Sequence, residues 1–208
     1  MTVRSALKSF PGTARLLRLL RTIPGASTLR EMLFGSWQDD YWRSRKHLRY
    51  YSEVLRLAKQ WAGDARTVID VGSGNLPLIL ELDWIPMKTS FDFYRKGRLP
   101  RCTNIKADFM TYAPPGAFDL VLCLQVLEHL ECPEVFIEKL LHTGRIVVIS
   151  VPYRWPEGQS IYHVQDPIDE NKLLAWTKKP WIDQVVVKEA NGEERIIVVL
   201  QGNRSLAG

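Results

Sequence analysis

The sequence predicts an α/β fold: a mostly parallel β-sheet with one antiparallel edge strand, preceded by a helical extension at the amino terminus. From residue 66 onward, apolar runs typical of buried strands alternate with segments of helical periodicity, which is the pattern of a parallel sheet. The first of these runs ends in an acidic residue and then passes through two spaced glycines. The last two are rich in β-branched residues and are joined through Asn191-Gly192, which predicts a tight hairpin and therefore a reversed strand.

The composition is that of an ordinary soluble globular protein. Of 208 residues, 46% are apolar and 25% are charged, which suits one domain with a full core, or one domain with an appendage. No run approaches the roughly 18 apolar residues that a membrane span needs, and no secretory signal pattern opens the chain. The three cysteines, Cys102, Cys123 and Cys132, are odd in number and indicate reduced thiols. We therefore expect a cytoplasmic protein without a transmembrane segment, with a membrane-peripheral location as the alternative.

The distribution of charge divides the chain into two predicted domains. Residues 1–60 carry 12 Lys and Arg against 4 Asp and Glu, a net charge of +8, and the rest of the chain has a net charge of −3. We expect a basic amphipathic helical extension or cap over residues 1–63 and the sheet domain over residues 64–208. A basic appendage suits an anionic partner or a membrane surface, and an Arg-rich solvated helix face explains the charge equally well.

Two helices are predicted within the extension. In residues 14–23, aliphatic side chains fall on one arc and Arg15, Arg18 and Arg21 on the other, before a Pro-Gly pair ends the helix. Packing on the domain is the favoured interpretation, and peripheral contact with a membrane or a protein, or an organelle presequence, are the alternatives. The second helix runs from about Asp39 to Gly63, and its aromatic-rich face is expected to pack on the core or to overhang a ligand pocket as well.

In the sheet domain each element follows from its local pattern. Apolar and β-branched runs mark the strands. One helix has a proline at its first position and Gly144 as its stop, and another is capped by Asp169. The predicted strands are 67–71, 88–92, 104–108, 118–124, 145–151, 184–189 and 195–201, and the predicted helices are 133–142 and 169–178.

The strongest functional signal is the turn after the first strand, which reads Asp70-Val71-Gly72-Ser73-Gly74. Glycines let the backbone turn sharply and let a ligand approach it, at the strand ends where open α/β sheets bind ligands. Asp92 closes the next strand 18 residues after Gly74, where a carboxylate can accept hydrogen bonds from a ribose diol. Asp108 closes the third strand and is placed to accept from an adenine amino group, with Phe109 beside the ring. Singly, each residue has a structural explanation; their joint spacing favours a nucleoside site.

Two further runs complete a recognisable series. Phe118-Asp119-Leu120-Val121 opens the fourth strand, and Gln125-Val126-Leu127-Glu128-His129-Leu130 follows it. From Arg66 to Gln201 the series resembles the motifs of class I S-adenosylmethionine-dependent methyltransferases, most closely the subgroup that includes quinone-biosynthesis O-methyltransferases. The resemblance implies a seven-stranded Rossmann-like sheet, S-adenosylmethionine as cofactor, S-adenosylhomocysteine as product, and methyl transfer to a nucleophile. It further implies that Asp70, Gly72, Ser73 and Gly74 form the cofactor loop, that Asp92 holds the ribose and Asp108 the adenine, and that Gln125 lies near the methionine end.

The sequence departs from that family in two places. Leu76, followed by Pro77, stands where the family often has a third glycine, so the following helix is expected to start farther from the cofactor or to enter at another angle. Only about eleven residues separate Asp92 from the next strand, so the helix usual at this place must be short or absent. That departure is expected to leave the adenine edge more open.

Three residues are the candidates for catalysis: Glu128, His129 and His163 are the polar residues expected to face the methyl group. In some relatives of the resembling subgroup, a Glu-His pair at this place and a later histidine bind a divalent cation. Gln125 replaces a further acidic ligand of those relatives, so a metal is possible but not favoured. A metal-free histidine base is favoured over it, and a purely structural role for either histidine stays open.

The expected function is methyl transfer, with an O-directed reaction on a small molecule, a lipid-linked acceptor or a glycan precursor. The second helix and the loop Tyr153–Pro167 are expected to form the acceptor pocket. One rival is an RNA methyltransferase that uses the basic segment to follow phosphates, although no RNA-binding module is recognisable and a nucleic-acid partner is not favoured. The other is a non-catalytic binding protein with this fold, against which the intact acidic positions count.

Overall fold

The computed structural model describes residues 42, 45–74, 76–94 and 98–203. The predicted helix over residues 14–23 and most of the basic extension lie outside the described residues, as does Asn75 in the glycine turn. Within the described part of the chain, no helix is both long and apolar enough to cross a membrane.

The core of the fold is one seven-stranded sheet with the strand order β3-β2-β1-β4-β5-β7-β6. The strands are β1 Thr67–Val71, β2 Met87–Asp92, β3 Thr103–Lys106, β4 Phe118–Leu124, β5 Gly144–Pro152, β6 Asp183–Lys188 and β7 Glu194–Gln201. The predicted seven-stranded, mostly parallel sheet is confirmed, and the predicted strands differ from these at their ends by no more than two residues.

One strand runs against the others. β7 is antiparallel both to β5 and to β6, whereas β1 to β5 pair in parallel. Because the hairpin makes β6 and β7 neighbours and β7 is the one that pairs with β5, the reversed strand lies one position in from the edge. The outer strand β6 therefore runs in the common direction, which the sequence pattern did not reveal.

The strand order creates a switch point at β1. The chain leaves β1 to form β2 and β3 on one side and returns to form β4 and β5 on the other. At such a point the connections after two neighbouring strands diverge, which opens a crevice at their carboxyl ends. Here the crevice lies between the segments that follow β1 and β4.

Two layers of helix cover the sheet. Alternate strand residues face opposite sides, so that Val68 of β1 belongs to one core cluster and Ile69 to the other. The first cluster is covered by helix α1 (Arg49–Trp61) and a short 3-10 helix (Pro77–Glu81). The second is covered by α2 (Pro133–Thr143) and α3 (Glu170–Thr177). Helix α1, which falls in the predicted extension, thus packs on the sheet.

Helix α1 is shorter than expected at its amino end. Lys46 and His47 form a turn and Leu48 is extended, so the predicted helix from about Asp39 does not pass through this segment and α1 begins at Arg49. The carboxylate of Glu189 accepts hydrogen bonds from the backbone N–H of Arg49 (2.9 Å) and of Tyr50 (3.1 Å). These N–H groups have no partner within the helix, so the distant carboxylate defines its first turn.

The two departures noted from the sequence have structural counterparts. After the glycine turn the chain forms only the 3-10 helix, which starts at Pro77. Between β2 and β3, the described residues 93–94 and 98–102 contain no helix. The crevice is therefore flanked by short connections on the β2 side.

Candidate functional site

The glycine turn has the geometry that its sequence predicts. Gly72 has φ +80° and Gly74 φ +56°, in the region that favours glycine. The backbone N–H groups of Gly72 and Ser73 both donate to the carbonyl of Phe91, at 2.9 and 3.1 Å, so the turn is fastened to β2. A Cβ atom at position 72 would lie 2.4 Å from Cγ2 of Val126, whereas one at position 74 would meet nothing within 4 Å. Gly72 is thus required by packing, and Gly74 borders open space.

Asp92 lies beside this turn. Its Oδ2 accepts from the N–H of Gly74 (2.8 Å) and its Oδ1 from the N–H of Tyr94 (2.6 Å). The half-buried carboxylate fixes the turn and, since each oxygen has two lone pairs, can accept further hydrogen bonds. Asp70 is 3% exposed and lies near the end of β1, and the hydroxyl of Ser73 contacts that of Ser90 (2.7 Å).

The predicted adenine residues are placed differently from each other. Asp108 is exposed, two residues beyond the end of β3, and its Oδ1 accepts from the N–H of Met110 (2.8 Å). Phe109 is only 4% exposed, because its ring packs against those of Phe91 (5.6 Å) and Phe136 (5.0 Å). Phe109 is therefore packed in the core next to Asp108, and its assignment to the adenine stays a prediction.

The sequence reasoning missed two exposed aromatic residues at this edge. Phe93 and Tyr94 directly follow Asp92, each is 54% exposed, and their rings meet edge to face at 4.7 Å. Exposed aromatic faces next to a candidate ribose acceptor are suited to a nucleobase. Their position, two aromatic residues immediately after the acid that closes a strand, is the signal that was available.

Gln125 lies directly after β4 and has φ +56°, which is uncommon outside glycine. Its N–H donates to the carbonyl of Ser150 (2.8 Å), and its side-chain amide lies 3.3 Å from the hydroxyl of Ser150. The residue that follows it, Val126, is the one that touches Gly72. Gln125 therefore lies between the ends of β4 and β5 and next to the glycine turn.

A second group of polar residues begins at Glu128, three residues after Gln125. One ligand atom from each of Glu128, His129 and His163 lies within 4.8 Å of the other two. The two imidazole rings meet edge to face with centroids 5.0 Å apart. The prediction that these three side chains converge is confirmed, and we call them the Glu-His-His cluster.

Hydrogen bonds orient both histidines of the cluster. Nδ1 of His129 lies 2.9 Å from the carbonyl oxygen of Tyr162, which can only accept, so this nitrogen carries the proton in the neutral ring. Nδ1 of His163 lies 2.7 Å from Oδ2 of Asp166, whose side chain is 2% exposed. In each neutral ring Nε2 is then the nitrogen without a proton, and Nε2 of His129 lies 3.9 Å from Oε1 of Glu128. Asp166 was missed in the sequence, where the His-x-x-Asp spacing was its only signal.

Glu128 is buried in an unusual electrostatic environment. The residue is 1% exposed, and its Oε2 has no hydrogen-bond partner among the described residues. Burial raises the pKa of Glu128 from 4.5 to about 8, and the nearby Asp166 carboxylate adds to this while Arg195 opposes it. A buried carboxyl with a free oxygen and a raised pKa is typical of functional sites.

The loop after β5 brings His163 to the cluster. The N–H of Val164 donates to the carbonyl of Glu128 (2.8 Å), and the side-chain amide of Gln165 donates to the carbonyl of Leu130 (2.8 Å). Trp155 stacks on the His163 ring with centroids 5.6 Å apart. The loop is therefore held against the segment after β4 from several directions.

The donor set of the cluster fits a divalent cation. Two imidazole Nε2 atoms and a carboxylate oxygen are ligands that zinc, manganese and related ions accept, at distances of about 2 Å. The spacing of the ligand atoms, within 4.8 Å of one another, allows one ion to reach all three. Nδ1 contacts to a carboxylate and to a backbone carbonyl are the outer contacts that metal-binding histidines commonly have.

Comparison with known proteins relates the chain to one fold. No protein-family profile matches the sequence, and no curated protein is significantly similar to it. The solved structure of 1,6-didemethyltoxoflavin-N1-methyltransferase from Burkholderia thailandensis, with 1,6-didemethyltoxoflavin and S-adenosylhomocysteine bound, is similar with a TM-score of 0.64 at 13% identity, over 86% of this chain and 89% of that one. N-methyltransferase NodS from Bradyrhizobium japonicum WM9, in complex with S-adenosylhomocysteine, gives a TM-score of 0.58 at 14% identity, over 74% of this chain and 86% of that one. The solved structure of the 4+2 cyclase SpnF is similar with a TM-score of 0.57 at 13% identity, over 74% of this chain and 82% of that one. The chain has the Rossmann-like fold of S-adenosylmethionine-dependent methyltransferases.

Proposed function

We propose that the chain is an S-adenosylmethionine-dependent methyltransferase that modifies a hydroxyl group of a small molecule, such as a metabolite, a lipid-linked acceptor or a glycan precursor. One observation carries the proposal: the glycine turn and the Glu-His-His cluster adjoin each other at the switch point of the sheet. Gly72 packs against Val126, which is two residues before Glu128. A site for the methyl donor and a site for proton transfer thus lie side by side.

The residues around the turn are suited to a nucleoside with a charged tail. Asp92 has lone pairs left for a ribose diol, Gly74 leaves room beside its backbone, and Phe93 offers an exposed ring. Asp70 is assigned to the cofactor loop, Gln125 to the methionine end, and Asp108 with Phe109 to the adenine. When bound, S-adenosylmethionine would supply an electrophilic methyl group. The two neighbours crystallised with S-adenosylhomocysteine support this assignment.

The Glu-His-His cluster is suited to removing a proton from the acceptor. Nε2 of His163 would accept the hydroxyl proton, and Asp166 would hold the ring in the required tautomer and stabilise the imidazolium. His129 lies beside it, with its Nε2 3.9 Å from Oε1 of Glu128, and the protonated form of Glu128 could donate a hydrogen bond to the acceptor. Loop residues such as Trp155 would exclude water from the reacting groups.

The same residues also fit a metal-assisted reaction. Glu128, His129 and His163 would then hold a divalent cation, which would lower the pKa of the acceptor hydroxyl and align it. Calorimetry with Mn²⁺ and Zn²⁺ distinguishes the two forms of the proposal. Binding that is lost in both His129→Ala and His163→Ala supports a metal, and absence of binding supports the histidine base.

The fold alone leaves other activities open, since SpnF is a cyclase and two neighbours are N-methyltransferases. The oxygen acceptor is supported by the motif resemblance to quinone-biosynthesis O-methyltransferases and by the presence of histidine bases. A non-catalytic binding protein would have no need for a buried Glu128 with an unpaired oxygen. An RNA acceptor would depend on the basic segment, most of which lies outside the described residues.

Calorimetry with S-adenosylmethionine and S-adenosylhomocysteine tests the proposal. Wild type is expected to bind both, and Asp92→Ala to weaken binding by about 1.5–3 kcal/mol, because charge-assisted hydrogen bonds to the ribose are lost. Asp83→Ala, an exposed aspartate away from the turn, is the matched control and should bind as wild type. If wild type binds neither ligand, the proposal fails.

A further inference from the structure

Arg195 is a buried cation that lies between two aromatic rings and two carboxylates. The residue is 1% exposed, and its guanidinium carbon lies 5.1 Å from the ring centroid of Tyr50 and 5.3 Å from that of Trp155. Nη2 donates to Glu193 (3.0 Å) and Nη1 lies 3.8 Å from Glu189. Nε and Nη1 have no hydrogen-bond acceptor within the described chain. A buried arginine held in this way is costly to desolvate, so its contact with the two rings needs an explanation.

Trp155 connects this arginine to the Glu-His-His cluster. Its ring lies under the guanidinium of Arg195 and stacks on the ring of His163 at an interplanar angle of 26°. Its Nε1 donates to the carbonyl of Glu194 (2.8 Å), which fixes the indole to β7. The position of the indole is therefore fixed by a hydrogen bond to the sheet.

Three contacts then define the orientation of the His163 ring. Asp166 binds Nδ1, the ring of His129 meets it edge to face, and Trp155 lies against its face. The hydrogen bond from Nδ1 sets the tautomer but leaves the ring able to rotate about the Nδ1 contact. A flat aromatic neighbour restricts that rotation, in a ring whose ligand atom lies within 4.8 Å of those of Glu128 and His129.

We propose that Trp155 and Arg195 are positioning residues of the proposed methyltransferase site: Arg195 anchors the indole of Trp155, and the indole holds the His163 ring in the orientation that presents Nε2. The inference rests on the proposed function, in which His163 is a base or a ligand. The orientation of the His163 ring can be measured whatever the methyl acceptor is. The alternative is that both residues only stabilise the fold.

The Nδ1 proton of His163 gives a direct measurement of this control. In the full-length, ¹⁵N-labelled protein with a chelator present, a proton held between Nδ1 and a buried carboxylate should exchange slowly with water and give a resolved resonance. The signal is assigned by its absence in His163→Gln. Trp155→Leu is expected to accelerate its exchange roughly tenfold or to abolish the resonance, as expected when one aromatic contact is lost. Trp155→Phe, which retains a stacking ring, should preserve the resonance.

A second variant separates charge from shape. Arg195→Lys keeps the charge opposite Glu189 and Glu193 but lacks the planar group that lies over the indole. We expect it to accelerate Nδ1 exchange as Trp155→Leu does, although to a smaller extent, while backbone amides in β4 and β5 exchange as in wild type. Trp84→Leu, which removes an indole from the opposite core cluster, is the control and should leave the His163 signal unchanged.

Three results would overturn the inference: wild-type exchange at His163 in folded Trp155→Leu, wild-type exchange in Arg195→Lys, or no persistent Nδ1 resonance in the wild type. If Trp155→Leu does not fold, Arg195→Lys and the comparison with Trp155→Phe decide the question. Failure of the proposed function is seen separately, as absence of S-adenosylhomocysteine binding in the wild type.

Discussion

Gly72→Ala tests the packing of the glycine turn against the segment that carries the Glu-His-His cluster. The substitution adds one Cβ atom at a residue with φ +80° and places it 2.4 Å from Cγ2 of Val126. An L-residue in the left-handed region costs about 1–2 kcal/mol, and forcing an extra carbon into a packed contact costs about 1–3 kcal/mol. The free energy of unfolding should therefore fall by about 2–5 kcal/mol, a large part of a typical domain's total of about 5–15 kcal/mol.

Urea denaturation followed by circular dichroism measures this change, and two further variants divide it into its parts. Gly74→Ala has φ +56° but no atom within 4 Å of its new Cβ, so only the cost of the backbone conformation applies. Val126→Ala in the Gly72→Ala background removes the colliding methyl group and should recover about 1–3 kcal/mol in a double-mutant cycle.

For ligand binding the order of the two variants should be reversed, with Gly74→Ala the more harmful substitution. Gly74→Ala projects its Cβ into the open space beside the turn and should weaken S-adenosylhomocysteine binding more than it weakens the fold. The reasoning is refuted if Gly72→Ala is no more destabilising than Gly74→Ala, or if Val126→Ala fails to relieve it.

Three other predictions concern the described site and the amino-terminal segment. The pKa of Glu128 is raised by burial from 4.5 to about 8, so the unfolded chain ionises first and the free energy of unfolding should fall between those pH values by up to about 5 kcal/mol. In chelator-treated protein, Glu128→Gln should lack this fall, and parallel pH curves for the two proteins would contradict the assignment. Asp119 accepts from the N–H groups of Arg66 and Thr67 and from the hydroxyl of Thr67. Asp119→Ala should therefore lower the free energy of unfolding by about 1.5–3 kcal/mol and leave the ligand affinity unchanged. A change in ligand affinity without a change in stability would show that Asp119 has a different role. If Arg15, Arg18 and Arg21 contact an anionic surface, deleting residues 1–30 should preserve the fold and cofactor binding while reducing retention on anionic liposomes at low salt. Loss of folding would instead show that the leucine-rich stripe is part of the core, as the favoured interpretation of this helix expects.

The features that were predictable from sequence are those set by local pattern. Strand bounds followed from apolar periodicity, and the glycine turn followed from the spacing of Gly72 and Gly74 after a strand. The clustering of Glu128 and His129 with His163 was anticipated through the family resemblance. The separation of His163 from the other two residues in the sequence does not by itself predict that they meet.

The features that were missed depend on contacts between distant segments. Phe109 is buried because Phe136 of α2 packs on it, and nothing near residue 109 encodes that partner. The start of α1 is set by Glu189, which is 140 residues away from Arg49 in the chain. The inward position of β7 follows from its pairing with β5, which a hairpin signal cannot specify.

The Glu189 contact also has a consequence for how the protein is made. During synthesis from the amino terminus, the residues of α1 leave the ribosome long before Glu189 does, so the first turn of the helix lacks the carboxylate that accepts from it in the folded chain. β5, likewise, has no neighbour on its outer side until β7 follows. Completion of α1 and of that side of the sheet must therefore wait for the last hairpin. The nascent chain consequently passes through a stage with an open sheet edge and an uncapped helix, the stage at which chaperone binding or aggregation would compete with folding.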